Sequence, residues 1–474
     1  MPQGQHAENL AWIRDQAQDL RPRGAGMKRL FERALAGEGE VLRISPQRTV
    51  LRLDAEDTEA APHGWLLKIS HPRRRGEALR RRFSTAPAER EAEAWKLLAP
   101  RIDLKVRVEH EQLLPQLGVL ARNFFDGKPA DANDATAAGL ARLHHERWAD
   151  RDLALDDLLW VTTENGATLI PIDLGHAAVS MLPPPAEKIY LALVRLLSGL
   201  PAERAAAWAP GLLAAHEELL PSWQAEDLVR RSARTRERRA WQRSRRALRT
   251  CSDFVADDEG ARRRGLDAAA PPWPLAADAE PLSEGPRSTT LAHGGVIWKF
   301  YPRSGAWQTV RRSLGAGPGR NAYRALAWLE ILGLPACRAL AWLPHADGEW
   351  IATEYVAGQE VQLQELPELA AALARLHRAG VGLRDAKCSN FRRSADGTIV
   401  LIDADGLTRG VEDAARDLAR VIAESPHDDA LTEAARARYA AASGTEFDER
   451  FERRYSERLA VFRAKLAAQQ NASR

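Results

Sequence analysis

Residues 383–391 read Leu383-Arg384-Asp385-Ala386-Lys387-Cys388-Ser389-Asn390-Phe391, and residues 399–406 read Ile399-Val400-Leu401-Ile402-Asp403-Ala404-Asp405-Gly406. An Arg-Asp pair is thus followed by Lys two residues and Asn five residues after the Asp, and a hairpin then delivers a second Asp. An earlier stretch carries the same plan. Leu140-Ala141-Arg142-Leu143-His144 recurs letter for letter as Leu373-Ala374-Arg375-Leu376-His377. Each His is followed eight residues on by the Asp of an Arg-Asp pair, Arg151-Asp152 or Arg384-Asp385. Leu169-Ile170-Pro171-Ile172-Asp173-Leu174-Gly175 then matches the strand that ends on Asp403.

Working outward, Trp65-Leu66-Leu67-Lys68-Ile69 resembles Val296-Ile297-Trp298-Lys299-Phe300, and the apolar runs 120–127 and 351–358 both close on glycine. The register is nearly constant: 299−68 = 231, 358−127 = 231, 385−152 = 233 and 403−173 = 230. An offset that changes only across loops indicates a duplicated domain, and its length excludes a solenoid repeat. Turn residues around each lysine mark short strands, such as 288–291, the His293-Gly294-Gly295 turn and 296–301. Helical patterns follow at 88–98 and 319–332, the second ending at Gly333 and Pro335. A strand pair, 339–343 and 350–356, is joined through His345 to Gly348. The second half of each copy reads as mostly helical apart from its hairpin. Residues 258–286 read as an irregular approach to the second copy, and the boundary falls near 250, giving domains 1–250 and 251–474.

The length of 474 residues suits two or three domains. Apolar residues make up 45% and charged residues 28%, which excludes a disordered chain, a collagen or a coiled coil. Lys plus Arg number 68 against 65 Asp plus Glu, so no basic field calls for nucleic acid. Three cysteines cannot build a disulfide scaffold and suit a reducing compartment. The first 19 residues are polar and mixed in charge, unlike a secretory signal, and no 18-residue apolar run suggests a membrane span. The expected location is cytoplasmic. Lysine is scarce: beyond Lys188 only Lys299, Lys387 and Lys465 remain. Any chemistry that needs a primary ammonium in the second copy draws on these.

The second copy holds the residue types that phosphoryl transfer uses. Lys299 would orient the phosphates of ATP, Asp385 would position the acceptor hydroxyl, and Lys387 would offset the charge of the moving group. Asn390 and Asp403 would supply hard oxygen ligands to Mg²⁺. The first copy offers Lys68, Glu91, Asp152, Asp157 and Asp173 at corresponding places. These read as a nucleotide-binding or degenerate set, because Ala154 stands where Lys387 stands and Asp157 where Asn390 stands.

This order and spacing resembles the protein-kinase-like fold, and within it the bacterial lipopolysaccharide core kinases, the heptose and Kdo kinase group. The likeness covers about 285–410 well and 60–180 more faintly. Residues 299–325 look like that family's connection into its αC helix, and Ile351-Ala352-Thr353-Glu354-Tyr355 like its hinge, which would place Glu354 beside the nucleotide. The resemblance implies an α+β fold of two tandem kinase-like domains, each with a small β-rich lobe and a larger helical lobe. It also implies an ATP- and Mg²⁺-dependent kinase acting on a sugar hydroxyl of the lipopolysaccharide inner core, peripheral at the inner membrane. Departures are plain. The helix Glu that pairs with the strand lysine in kinases is matched by Glu91 (68+23) but by Ala322 (299+23) in the second copy, unless Glu330 supplies it. Leu383 and Asp150 stand where kinases carry His before Arg-Asp. Neither copy has a Gly-x-Gly-x-x-Gly loop before its lysine, and the Gly315-x-Gly317-x-Gly319 run reads as a flexible connection.

Two other readings use the same residues. One is a kinase for a small soluble alcohol, of the aminoglycoside or choline type. The other is a tandem pseudokinase scaffold among envelope-assembly proteins, favoured by Ala322 and Leu383. The runs Arg73-Arg74-Arg75, Arg80-Arg81-Arg82 and 230–249 read as solvated faces or as a surface for glycolipid or anionic headgroups. The cysteines, the tryptophans and the two helix-end histidines read as packing residues.

Overall fold

A computed structural model of the chain describes residues 10–11, 13–15, 22–45, 48–55, 61–70, 87–114, 117–174, 177–180, 182–251, 253–265, 279–285, 288–303, 317–425, 428–444 and 446–472. Two compact units, 1–235 and 236–474, divide it. The arginine runs at 73–75 and 80–82, and most of the connection after Lys299, lie outside the described residues.

In the N-terminal unit, helix α1 (Ala25–Ala36) precedes strands β1 (Glu40–Ser45), β2 (Arg48–Leu53) and β3 (Trp65–Ser70). Helix α2 (Pro87–Leu98) then leads to β4 (Val108–Leu114) and β5 (Leu117–Asn123). The sheet is antiparallel in the order β1-β2-β3-β5-β4. Every residue of β3 is buried, as a middle strand covered on both faces requires. The face against α1 forms a core of Phe31, Leu51, Leu53, Leu67 and Val119. The rest of the unit is mainly helical: β6 (Lys128–Pro129), α3 (Asp134–His145), β7 (Trp148–Asp150), β8 (Leu158–Thr163), β9 (Gly166–Pro171), β10 (Ala177–Val179), α4 (Ala186–Leu197) and α5 (Ala202–Ala214). Its own core centres on Trp95, Leu140, Trp148 and Leu193. Helix α6 (Ala225–Ser244) runs past residue 235.

The C-terminal unit opens with β11 (Phe254–Asp257) and β12 (Gly260–Arg263). Here the structure corrects the expectation of irregular chain from 258: this hairpin joins β16 antiparallel. Gly260, at φ +133°, lies so close to the Trp342 carbonyl that a Cβ would meet it at 2.1 Å. Next come β13 (Glu280–Glu284), β14 (Thr289–His293), β15 (Val296–Pro302), α7 (Pro318–Ile331), β16 (Ala339–His345) and β17 (Gly348–Glu354). The sheet order, β11-β12-β16-β17-β15-β14-β13, contains the N-terminal unit's order with an extra hairpin at one edge. The register agrees to the residue: Lys68 faces Leu120 and Lys299 faces Ile351, both steps of 231. Gly317 and Gly319, expected in a flexible connection, instead start α7. Gly317 is its N-cap and Pro318 its first residue, and both glycines lie against Glu349, whose Oε2 accepts the Arg320 amide at 3.1 Å.

The second half of this unit contains β18 (Gly358–Glu360), α8 (Leu366–Arg378), β19 (Val381–Leu383), β20 (Phe391–Ser394), β21 (Ile399–Leu401), β22 (Leu407–Arg409), α9 (Ala414–Ile422), α10 (Asp429–Ser443) and α11 (Glu449–Ala472). Leu366, Leu369, Leu373 and Leu376 follow helical spacing and bury one face of α8. They join Tyr323, Trp328, Phe391 and Leu418 in one core. Small sheets repeat between the units: β6-β8-β9 beside β18-β20-β21, and β7-β10 beside β19-β22.

The two glycines that close the repeated apolar runs have one physical cause. A Cβ on Gly127 would meet the Trp160 carbonyl at 2.6 Å, and one on Gly358 (φ +149°) the Arg393 carbonyl at 1.9 Å. Each marks where the chain leaving the large sheet lies against the later hairpin. Gly358→Ala is therefore expected to cost on the order of 2–3 kcal/mol, read as a fall in thermal midpoint, whereas Gly397→Ala, at an open turn, costs less than half as much.

Candidate active site

Lys299 sits on β15, and its ammonium lies 2.9 and 2.8 Å from the two carboxylate oxygens of Asp403 and 2.7 Å from Asp405 Oδ2. Tyr301, two residues along the same strand, donates its hydroxyl to Asp405 Oδ1 at 2.6 Å. Burial works against the Lys299 charge, but the two carboxylates outweigh it and lift its pKa above the ordinary lysine value. Burial, with Asp405 and Asp403 beside it, pushes the Tyr301 phenol well up. The partner of Lys299 is therefore not a helix glutamate. Ala322 is buried in the core, and Glu330 is turned to Arg263 at 2.5 Å and Arg338 at 3.8 Å. Asp405 takes the place of that glutamate.

The loop bearing Asp385 lies against the Asp403 turn. The Ile402 amide donates to the Asn390 carbonyl at 2.9 Å, and the Arg384 amide to the Gly406 carbonyl at 3.0 Å. Lys387 pairs with Asp385 directly, and Arg420 from α9 approaches the other carboxylate oxygen at 3.5 Å. The Asn390 side-chain amide donates to the Asp385 carbonyl at 2.7 Å, which leaves its own oxygen as an acceptor. Buried Asp417 fixes the loop from beneath, accepting the Leu383 amide at 3.0 Å and the Arg416 guanidinium at 2.7 Å. Leu383 is itself buried, so the departure from His before Arg-Asp fills core, while its backbone keeps the anchor.

Of the expected residues, Lys299, Asp403, Asp385, Lys387 and Asn390 occupy one connected region. Glu354 does not join this group through its side chain, which is exposed at the end of β17 while its amide donates to the Arg338 carbonyl at 3.0 Å. Sequence reading assigned no role to Asp405, Asp417 or Glu349. The Asp-x-Asp spacing was the one available signal for the first of these. Among the described residues no three His, Cys, Asp or Glu side chains gather as a metal cage. Mg²⁺ does not need one, being held by one or two carboxylates plus phosphate oxygens; Asp403 and Asn390 carry oxygens of that type, and Asp403 can offer one once the Lys299 ammonium turns from it to phosphate.

The N-terminal unit pairs Lys68 with Glu91 at 2.6 Å, both buried, and places Asp173 at 3.4 Å from the same ammonium. Buried Arg122 donates to the Ile172 carbonyl at 3.1 Å. Burial pulls its pKa down to about 10 against the pull of Glu91 and Asp173. Asp152 is paired with Arg195 of α4. Arg48 of β2 reaches Asp173 Oδ2 at 3.0 Å. His144 and His216 form a buried pair, ring nitrogens 2.9 Å apart, with His216 Nδ1 2.7 Å from the Leu212 carbonyl. Burial lowers both pKa values, so this is neutral packing. Burial also raises the Cys388 and Cys337 thiols to about 12, consistent with inert space-filling. No helix among the described residues is long and apolar enough to cross a membrane.

Asp157 is half-buried, and burial followed by the charge of Asp173 raises its pKa to about 6. A carboxyl whose folded value lies above its unfolded value costs stability once it ionises, so the cost grows as pH rises through the window from 3.8 to about 6. After discounting for solvent, Asp157→Asn is expected to stabilise the protein by roughly 1 kcal/mol at pH 8 and by almost nothing at pH 4. Denaturant melts at the two pH values measure this. Equal effects at both would contradict the assignment.

No protein-family model matches the chain, and no curated protein matches it. Solved structures do. The aminoglycoside phosphotransferase APH(3'')-Id from Streptomyces rimosus is 19% identical at a TM-score of 0.30, covering 39% of this chain and 92% of its own. The same enzyme in complex with ADP and streptomycin matches at 18% identity with the same TM-score and coverage. The bifunctional kinase-methyltransferase WbdD is 12% identical at a TM-score of 0.27, covering 37% of this chain and 47% of its own. Likenesses at TM-scores this low carry no weight for the fold or the activity, and the case for both rests on the chain's own geometry.

Proposed function

We propose that the chain is an ATP-dependent phosphotransferase built from two tandem kinase-like domains, 1–250 and 251–474, with its catalytic centre in the second. The observation that carries this reading is the Lys299–Asp403 contact at 2.8 Å. It joins a sheet lysine to the turn after a hairpin, beside the loop holding Asp385, Lys387 and Asn390. The equal strand order and lysine register of the two units support the duplication.

In this reading Lys299 holds the α and β phosphates of ATP, and Asp405 with Tyr301 steadies its ammonium. Asp385 orients the acceptor hydroxyl and takes its proton as the new O–P bond forms and the bond to the ADP oxygen breaks. Lys387, at the Asp385 carboxylate, faces the charge spread over the transferred group. Asn390 and Asp403 would hold Mg²⁺, which when bound neutralises phosphate charge. The exposed Glu354 lies at the hinge. The acceptor we assign is a sugar hydroxyl of the lipopolysaccharide inner core, met at the cytoplasmic face of the inner membrane. That assignment rests on the sequence resemblance, and a small soluble alcohol is its competitor. The N-terminal domain reads as non-catalytic, because Ala154 stands where Lys387 stands and Asp157 where Asn390 stands.

Transfer of labelled γ-phosphate to isolated core glycolipid, and in parallel to aminoglycosides and choline, distinguishes the acceptors. Asp385→Asn and Asp403→Asn are each expected to lower turnover by about 10²–10⁴-fold, while Asp152→Asn changes it less than about twofold. No transfer to any acceptor would favour the scaffold reading. A further outcome follows from the steadying role of Asp405: Asp405→Ala should lower kcat/KM for ATP about tenfold or more. Unchanged kinetics in that variant would remove it from the site.

A further inference from the structure

Asp417, Arg420 and Glu424 follow one another at steps of three and four residues, so α9 and the turn after it present them to the same side. That side faces the 383–390 loop. Asp417 accepts the Leu383 amide at 3.0 Å, and Glu424 Oε2 accepts the Cys388 amide at 2.9 Å. These two carboxylates hold the backbone on either side of Asp385. Between them the Arg420 guanidinium approaches Asp385 Oδ1 at 3.5 Å, while its Nη1 lies 3.0 Å from Glu424 Oε1. The same guanidinium lies 5.6 Å from the ring centre of Phe462 on α11.

Asp385 thus has two cations of different standing. Its Oδ2 pairs with Lys387, a residue of the loop itself whose side chain is 38% exposed, whereas Arg420 on the Oδ1 side is 11% exposed. Lys387 is the one that can turn, because its ammonium ends a flexible stem within reach of water. The guanidinium of Arg420 is planar, always charged and held between Glu424 and Phe462. The N-terminal unit has only the first kind of partner, an arginine. Arg195 of α4, the helix after its hairpin, pairs with Asp152, and Ala154 stands in place of Lys387. An arginine on the loop carboxylate is therefore common to both units, and the lysine is particular to the second.

We propose that Arg420 is a positioning residue for phosphoryl transfer: it fixes the Asp385 carboxylate through Oδ1, which releases Lys387 to the transferred group and leaves Oδ2 to the acceptor hydroxyl. The proposal rests on the phosphotransferase reading of this unit and gives the two cations separate tasks. With Lys387 turned to phosphate, Arg420 keeps the carboxylate in place and supplies its counter-charge. Oδ2 then receives the acceptor proton as the new O–P bond forms and the bond to the ADP oxygen breaks. Without Arg420, Lys387 could serve the phosphoryl group only by leaving Asp385 with no cation.

Release of labelled γ-phosphate from ATP and magnesium by the full chain, to water alone and to the acceptors of the transfer assay, tests this. Arg420→Met keeps apolar bulk against Phe462 and removes the charge. It should lower kcat about tenfold or more and leave KM for ATP within about twofold. Arg420→Lys, which returns a cation beneath the loop, should raise kcat about threefold or more above that of Arg420→Met. Because the role passes through Asp385, adding Arg420→Met to Asp385→Asn should lower kcat by less than about a further twofold. Calorimetric titration with ATP checks that each variant is folded, and Arg420→Gln is held to the same expectations should Arg420→Met not fold. Unchanged turnover in Arg420→Met overturns the proposal. So do equal kcat values in the Met and Lys variants, a loss confined to KM, or a loss of about tenfold added to that of Asp385→Asn. Each of these leaves the phosphotransferase reading standing if Asp385→Asn alone lowers turnover. No phosphate release to any acceptor, water included, by the unmodified chain overturns both.

Discussion

A lysine ammonium largely withdrawn from water on a middle strand must find opposite charge, because burial alone drives it towards the neutral form. In the C-terminal unit that requirement links two parts of the chain about a hundred residues apart. Lys299 meets Asp403 and Asp405, and those carboxylates are fixed by a turn whose backbone bonds to the 384–390 loop. Buried Asp417 anchors the same loop. One ion cluster therefore positions the strand, the Asp403 turn and the 384–390 loop together. A carboxylate pair on a partly dry cation is not a general stabiliser, since its desolvation cost is comparable to its Coulomb gain. Its value lies in fixing geometry.

The two units solve the same problem with different charges. The N-terminal unit keeps the helix glutamate, Glu91, on its lysine and spreads arginines from β2, β5 and α4 over the remaining polar groups: Arg48 on Asp173, Arg122 on the Ile172 carbonyl, Arg195 on Asp152. The C-terminal unit has Ala322 at the matching helix position and pairs its lysine with Asp405 from the turn, with Tyr301 holding the second oxygen of that carboxylate. Glu349 is acidic and near the start of α7, yet it accepts the backbone amide of Arg320 there. In the first arrangement the acidic groups are divided among several cations, whereas in the second two carboxylates share one ammonium.

Much of this was legible in the sequence. The lysines, the late aspartates and the closing glycines stood at nearly constant offsets, and each has a structural reason for its place: a middle strand in matched register, a turn after a hairpin, or a carbonyl too close for a Cβ. Glu91 was found by counting from Lys68. What could not be read were partners brought in by tertiary approach alone. Arg48 looks like any strand arginine until the sheet register sets it near Asp173. Asp417 looks like an ordinary helix-start carboxylate until the Leu383 amide is seen to donate to it. Glu330 was the natural substitute for the missing glutamate by helix position, but Arg263 claims it, and Arg263 belongs to a hairpin that composition made look irregular. Asp405 stood in view as part of Asp-Ala-Asp-Gly, without a signal that its side chain turns back to the lysine.

The most direct measurement is a crystal structure of the full chain with magnesium and a non-hydrolysable ATP analogue. The account predicts β-phosphate oxygens within about 3 Å of the Lys299 ammonium, with Asp403 and Asn390 on the metal beside them. Saturating analogue that leaves Lys299 clasped between Asp403 and Asp405, with no phosphate near it, would contradict the account.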